Sequence, residues 1–222
     1  MAETTVAELV FTDPAERDDL GAFVAKAVRL DAQGLVRLRA RDAHAVDAWV
    51  STPFDVLATR TVSGGVTPHD ISVAGSELLA GLAVLRGDRI DPGVAKDLLW
   101  RSPLPPSTGW LPVDELPVDV VTELADRGVA LARENVGPQG TPPASLLDQT
   151  VLTVSGGGLD VKIPLRCLFA LSGMGFLGGG TDSGGTETRD VVRVTATDSW
   201  LRIDARYGAV VRRRHALLPL LV

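Results

Sequence analysis

An alternating block of apolar and polar residues occurs twice in the chain and limits the folds that it can adopt. Residues 35–42 are Leu-Val-Arg-Leu-Arg-Ala-Arg-Asp, and residues 191–198 are Val-Val-Arg-Val-Thr-Ala-Thr-Asp. Successive side chains of a β-strand point to opposite faces, so this period of two predicts strands with one buried and one polar face. Each block opens a group of three predicted strands.

The remaining strand predictions follow from short apolar runs bounded by turn residues. Strands are predicted at residues 35–41, 45–51, 55–62, 150–155, 159–163, 190–197, 199–206 and 208–213. Gly64-Gly65 is expected to end the first group, and Gly156–Gly158 to form the turn of a hairpin.

Helical spacing of apolar residues predicts helices between the strands. The first begins with Asp13 as the cap, Pro14 at the first position and Glu16 three residues after the cap. Further helices are predicted around Leu78–Leu85, from Asp91-Pro92 with Val94, Leu98 and Leu99 buried, from about 117 to 135, and from Pro164 to about 174.

These elements predict an α+β protein in which antiparallel sheets pack against helices. We expect an N-terminal half at 1–101, a proline-rich connector at 102–116 and a C-terminal half at 117–222, which can also form one compact domain. The two alternating blocks indicate either an internal duplication of a helix-plus-three-strand meander or a similarity that alternation alone produces.

Composition limits the classes of protein that the chain can belong to. Its 222 residues carry a net charge of −6 and only one cysteine, Cys167, so a secreted disulfide scaffold is excluded and the cytoplasm is the expected location. No stretch is long and apolar enough to span a membrane. The acidic balance argues against nucleic acid as a partner.

The basic residues are nearly all arginine, and the lysines are Lys26, Lys96 and Lys162. With the segment from Trp100 to Trp110, Trp-Arg-Ser-Pro-Leu-Pro-Pro-Ser-Thr-Gly-Trp, this composition resembles conserved proteins of unknown function from actinobacteria. The resemblance implies no activity.

Arginines on predicted strand faces are the first candidate for a binding site. They are Arg37, Arg39, Arg41, Arg202 and Arg206. Together they would form a cationic face for an anionic small molecule or an acidic partner. The alternative, which we favour, is a solvated sheet face that neighbouring aspartates neutralise.

Trp100 and Trp110 flank the proline-rich segment and are the second candidate. They would wall a ligand cleft between the halves, because pockets favour such junctions. The alternative is that they pin a stiff linker to the core.

Other chemistry-bearing residues carry no prediction of a site. Gly173–Gly178 has the spacing of a dinucleotide-binding fingerprint, but no helix is predicted after it to receive a phosphate. The histidines His44, His69 and His215 lack ligand spacing, so no metal and no cofactor are expected. Catalytic residues are not identified.

The sequence leaves two functions open and leans against an enzyme. The first is a non-enzymatic binding or assembly module, expected to be a homodimer. The apolar tail 216–222 either packs on its own core or completes the homodimer interface. The second is an enzyme that acts on a small anionic substrate in a cleft between the halves.

Overall fold

The structure is a computed structural model that describes residues 7–84, 87–135, 143–178 and 190–214. The chain divides into two compact units. Unit 1 consists of Met1–Pro53 and Leu57–Pro103, and unit 2 of Phe54–Val56 and Leu104–Val222. The apolar tail 216–222 and His215 lie outside the described residues.

The secondary structure contains α-helices and β-strands in both units. The helices are α1 (Pro14–Leu30), α2 (Gly75–Val84), α3 (Val118–Glu134), α4 (Ala144–Leu147) and α5 (Leu165–Gly173). The strands are β1 (Glu8–Phe11), β2 (Leu35–Ala40), β3 (Ala45–Thr52), β4 (Val56–Thr67), β5 (Asp70–Ala74), β6 (Arg89–Ile90), β7 (Leu111–Pro117), β8 (Thr150–Gly156), β9 (Leu159–Pro164), β10 (Val191–Ala196), β11 (Trp200–Ala205) and β12 (Gly208–Arg213).

The sheet of unit 1 is antiparallel, with the strand order β5-β2-β3-β4. β1 pairs with the end of β4, and β6 pairs with β1. In β2, Val36 and Leu38 are buried while Arg37 and Arg39 face the other side, as the alternating block predicts. β5 is an edge strand of this sheet.

Helices α1 and α2 pack together in unit 1 and supply its core. Leu20, Phe23 and Val24 of α1 are buried, as is Leu78 of α2. The predicted start of α1 is confirmed, because the Asp13 carboxylate accepts a hydrogen bond from the Ala15 amide at 2.7 Å.

Unit 2 contains an antiparallel sheet with the order β12-β11-β10-β7 and the separate hairpin β8-β9. Helices α3 and α5 pack together. The core includes Val121 and Ala125 of α3, Leu168 and Leu171 of α5, and Ile203 of β11. α3 approaches α5 closely at Gly128, where an added Cβ would lie 2.3 Å from Leu165 Cδ1.

The predicted α+β class with antiparallel sheets is confirmed. Both units contain a three-strand meander, β2-β3-β4 in one and β10-β11-β12 in the other, and each meander begins with one of the two alternating blocks. Both units also contain two packed helices. The internal repetition is therefore a property of the fold as well as of the sequence.

Two local predictions are wrong. β4 continues through Gly64 and Gly65 to Thr67, because β1 pairs alongside it and an added Cβ at Gly64 would lie 2.1 Å from the Val10 carbonyl oxygen. The helix predicted from Asp91 is absent, and only a 3₁₀ turn at Asp97–Leu99 forms there.

Within the described ranges, no helix combines the length and the apolar character needed to cross a membrane.

Candidate functional site

Arg37 lies on the face of the unit 1 sheet that is opposite the helices. Its Nε and Nη2 donate to the two carboxylate oxygens of Asp70 on β5, each at 2.7 Å. The guanidinium carbon lies 5.9 Å from the centre of the Trp100 ring. The hydrogen bond to Asp70 raises the pKa of Arg37 and outweighs the opposing effect of partial burial.

The other two arginines of β2 and its following turn are also paired. Arg39 Nε lies 3.9 Å from Asp70, and Arg41 Nη2 lies 2.7 Å from Asp47 on β3. The cations of this face are therefore matched by carboxylates. Such a face offers an incoming anion little uncompensated positive charge.

A segment from Asp91 to Trp100, which we call the strap, lies against this part of unit 1. The amide of Lys96 donates to the Ser72 carbonyl oxygen at 2.6 Å, and the Ser72 amide donates to Asp97 Oδ1 at 2.6 Å. Lys96 Nζ also lies 2.9 Å from Glu77 on α2. The strap is thus held by polar bonds to β5 and α2.

The apolar side chains of the strap are exposed. Val94, Leu98 and Leu99 have exposed fractions of 70%, 90% and 59%. The sequence predicted that a helix would bury them. The polar contacts of Lys96 and Asp97 with Ser72 set the orientation of the strap instead, and the leucines point to solvent.

The predicted site residues of unit 2 are paired locally. Arg202 donates to Asp204 of the same strand at 2.7–2.9 Å. Arg206 lies 3.7 Å from Asp190 and 5.5 Å from the centre of the Tyr207 ring. Trp110 donates its indole N–H to the Pro106 carbonyl oxygen at 3.0 Å.

The structure therefore brings together some of the predicted site residues within each unit. In unit 1, Arg37 and Arg39 share Asp70, and Arg37 lies beside Trp100. In unit 2, Trp110, Arg202 and Arg206 each have a partner of their own. Their roles in binding stay predictions.

Sequence reasoning missed the most buried cation of the described chain. Arg166, at the start of α5, has a side chain that is only 8% exposed. Its Nε and Nη2 donate to Asp148 Oδ1 at 2.9 and 2.6 Å, and its Nη1 donates to the Phe54 carbonyl oxygen at 2.7 Å. Arg212 lies 3.5 Å from Asp148. The sequence signal was a single charge inside the apolar run of α5, but nothing local identifies Asp148 as its partner.

Cys167, the neighbour of Arg166 in sequence, is fully buried. Burial raises the pKa of its thiol to about 12, although Arg212 and Arg166 act in the opposite direction. The thiol is therefore protonated at neutral pH and unsuited to act as a nucleophile.

Across the part of the chain that the structure describes, no group of three or more histidine, cysteine or acidic side chains is placed to hold a metal ion. Helix α3 presents mixed charge with an acidic excess. α3 carries Asp119, Glu123, Asp126 and Glu134 against Arg127 and Arg133. Helix α3 thus offers mixed charge rather than a basic face.

Comparison with family models matches both parts of the chain. Residues 4–102 match the domain of unknown function DUF8010, and residues 105–217 match the domain of unknown function DUF8185. No curated protein matches the sequence. The predicted membership of a family of unknown function is confirmed, whereas an actinobacterial origin stays a prediction.

Comparison with solved structures matches DNA polymerase sliding clamps. The beta subunit of DNA polymerase from Streptococcus pyogenes has a TM-score of 0.57 at 11% identity, with 96% of this chain and 66% of that chain covered. The sliding clamp from Bacillus subtilis has a TM-score of 0.55 at 11% identity and 97% and 66% coverage. The clamp from Caulobacter crescentus has a TM-score of 0.55 at 14% identity and 96% and 67% coverage. This chain thus spans about two thirds of the length of these clamps, and the likeness shows the fold.

This finding corrects the functional expectations from the sequence. A simple non-enzymatic binding module, with a small-anion enzyme as its alternative, is wrong, because the fold is one found in DNA polymerase sliding clamps. The exclusion of nucleic acid as a partner is also wrong. It depended on the net charge of the whole chain, which does not determine how a fold associates with DNA.

The two family models lie side by side along the sequence and correspond to the two α+β units. The match to the second model covers more than half of the 222 residues. The chain therefore belongs to the family of the domain of unknown function DUF8185.

Proposed function

We propose that this protein is a clamp-like component of a DNA-associated assembly in the cytoplasm. The observation that carries the proposal is the extent of the likeness to DNA polymerase sliding clamps. It runs over 96–97% of this chain and includes both units.

The charge of the described surface supports retention on DNA by geometry rather than by tight binding to phosphates. Binding through phosphate neutralisation needs several uncompensated lysines or arginines on one face. Here Arg37, Arg41, Arg202 and Arg206 are paired with carboxylates. A protein with few phosphate contacts slides easily, provided that its shape keeps it on the duplex.

One chain spans only about two thirds of a clamp chain. We therefore expect the DNA-associated form to contain more than one copy or an additional subunit. The homodimer expected from the sequence is compatible with this requirement and stays a prediction.

The test is retention on circular DNA. The protein is incubated with a nicked circular plasmid, with and without ATP and an extract of the source cells to supply loading factors, and is then separated from free protein by gel filtration in raised salt. We expect part of the protein to elute with the circle and to be lost when a restriction enzyme linearises it, because a clamp slides off free ends.

The Glu123→Lys/Asp126→Lys variant serves as a charge control on α3. It is expected to add salt-sensitive binding to linear duplex while leaving salt-resistant retention on the circle in place. Equal elution with linear and circular DNA in low salt alone would identify an ordinary electrostatic binder. Failure to elute with the circle even in the presence of extract would overturn the proposal.

A further inference from the structure

Three prolines occur within four residues in the segment that follows the strap along the chain. Residues 101–106 are Arg-Ser-Pro-Leu-Pro-Pro, and we call them the proline strip. A proline ring fixes its own φ at about −65°, and the residue before a proline is driven to extended backbone. One or both constraints act on every residue from Ser102 to Pro106, so the covalent structure favours a polyproline II conformation there.

The observed backbone of the proline strip agrees with this conformation. The strip lies outside every helix and strand, between the 3₁₀ turn at Asp97–Leu99 and β7. Within the described ranges, no backbone–backbone hydrogen bond joins it to another segment. A polyproline II helix has no internal hydrogen bonds and a solvated backbone, so its N–H and C=O groups do not need a neighbouring strand.

Two tryptophans hold the proline strip near its ends. The Trp100 indole donates to the Ser102 carbonyl oxygen at 2.5 Å, and the Trp110 indole donates to the Pro106 carbonyl oxygen at 3.0 Å. Trp100 is itself held beside the Arg37 guanidinium. A segment that is already fixed in its extended form loses little conformational entropy when a partner binds it.

The rings of two of these prolines face solvent. A polyproline II helix has three residues per turn, so Pro103 and Pro106 lie on one face, and both are exposed. Leu104 and Pro105, on the other faces, are half-buried. Pro92 in the strap is buried, as expected of a proline that only packs against the core. The strip therefore turns a pair of apolar rings, with the spacing Pro-x-x-Pro, away from the protein.

A free cation lies beside these rings. Arg101 is exposed and forms no ion pair with any other residue that the structure describes. It differs in this respect from the arginines of β2, which are paired with aspartates. A partner that covers the strip gains electrostatic complementarity when it places a carboxylate next to Arg101.

We propose that the proline strip is the docking site for a partner domain with an aromatic-lined groove that has an acidic residue at one end. Aromatic grooves bind Pro-x-x-Pro segments because the preformed polyproline II helix presents its rings at low entropic cost. Pro103 and Pro106 fill the pockets between the aromatic rings, and Arg101 pairs with the acidic residue. This inference does not depend on the DNA-associated function, since docking requires no retention on a circle.

The test uses the full-length protein labelled with ¹⁵N, and an SH3 domain with an acidic specificity loop as the probe, because SH3 domains bind Pro-x-x-Pro segments in an aromatic groove. We expect the largest chemical-shift changes at the amides of Arg101, Ser102 and Leu104 and at the indole N–H groups of Trp100 and Trp110. Changes located elsewhere, or none at a millimolar concentration of the domain, would overturn the proposal.

The double variant Pro103→Ala/Pro106→Ala tests the two rings. We expect it to bind the SH3 domain about tenfold more weakly or worse, as measured by isothermal titration calorimetry, because two apolar pockets are left unfilled. Pro112→Ala is the matched control, since Pro112 is also exposed but pairs with Thr195 in the sheet, and it is expected to bind as the wild type. Equal affinities of the double variant and the control would contradict docking through the strip.

Arg101→Glu tests the charge. We expect weaker binding of the SH3 domain at low salt, and a loss of most of the salt dependence that the wild type shows, because salt screens an exposed ion pair. Arg133→Glu, at an exposed arginine of α3, makes the same change of charge and is expected to bind as the wild type. If both variants weaken binding equally, the attraction is one of overall charge, and the assigned contact of Arg101 is wrong.

Discussion

Arg37 in unit 1 and Arg166 in unit 2 each donate two hydrogen bonds to one aspartate, yet their surroundings differ. Arg37 and Asp70 are 27% and 37% exposed, and the pair lies on a sheet face. Arg166 is 8% exposed and lies in the core beside Cys167, with Asp148 at its outer side and the Phe54 carbonyl oxygen as a third partner. An arginine–aspartate pair therefore joins two strands at a sheet face in unit 1, whereas in unit 2 it holds a buried arginine inside the core.

The energetic consequence follows from solvation. Water can replace the lost partner of an exposed ion, but a buried polar group left without its partner keeps the full desolvation penalty. The pair in unit 2 should therefore matter more to stability than the pair in unit 1.

The largest effect is expected for Arg166→Met, which removes three hydrogen bonds and leaves the Phe54 carbonyl oxygen without a donor. We expect a loss of about 2–3 kcal/mol in the free energy of unfolding, measured by urea denaturation. Arg127→Met is the control in the same unit, because Arg127 and Glu123 are 67% and 66% exposed. Equal losses in the two variants would contradict the distinction between buried and surface pairs.

A smaller effect is expected for Arg37→Met. The pair with Asp70 is partly solvated, so the loss should be about 0.5–1 kcal/mol in the same urea experiment. Arg39→Met is the matched control, since Arg39 lies 3.9 Å from the same carboxylate and is 53% exposed. If Arg37→Met lowered the free energy of unfolding as much as Arg166→Met does, burial would not explain the difference between the two pairs.

The smallest effect is expected at Glu77, which holds the strap of unit 1. The hydrogen bond from Lys96 Nζ, and next the Val94 amide, lower the pKa of Glu77 from its ordinary value of 4.5. A lowered pKa in the folded state stabilises the protein above about pH 4.5, and this contribution is lost as the pH falls through the folded-state pKa.

The measurement is the urea midpoint of the wild type and of Glu77→Gln between pH 7 and pH 3. The wild type should be the more stable at pH 7, and the difference should disappear at the acid end. Lys96→Met is expected to give a similar loss at pH 7, because it removes the same bond. A difference that grows towards low pH would contradict the assignment.

The sequence predicted much of the fold because alternation and helical spacing are local properties. Arg37 and Arg39 were assigned to the polar face of β2 from the pattern alone, and Asp13 was identified as the cap of α1. The contacts of Arg41 with Asp47 and of Arg202 with Asp204 are of the predicted kind, whereas Arg37 pairs with Asp70, which lies 33 positions away in the sequence.

The surroundings of the candidate site were predicted less well from the sequence. Val94, Leu98 and Leu99 have helical spacing, but the segment follows the edge of β5, and the bonds to Ser72 leave these side chains in solvent. Gly64 looked like the end of a strand, although it marks the place where β1 passes close to β4. Both errors involve partners that lie far away in the sequence.

The sequence by itself determined the α+β class, the two alternating meanders and the cap of α1, because period and capping depend on neighbouring residues. Only the tertiary structure decided which aspartate each arginine meets, that Arg166 is buried against Asp148, and that the strap covers the edge of β5. The pairings of Asp148 with Arg166 and of Arg37 with Asp70 join residues that are 18 and 33 positions apart. Their geometry depends on how the chain packs, which no local pattern contains.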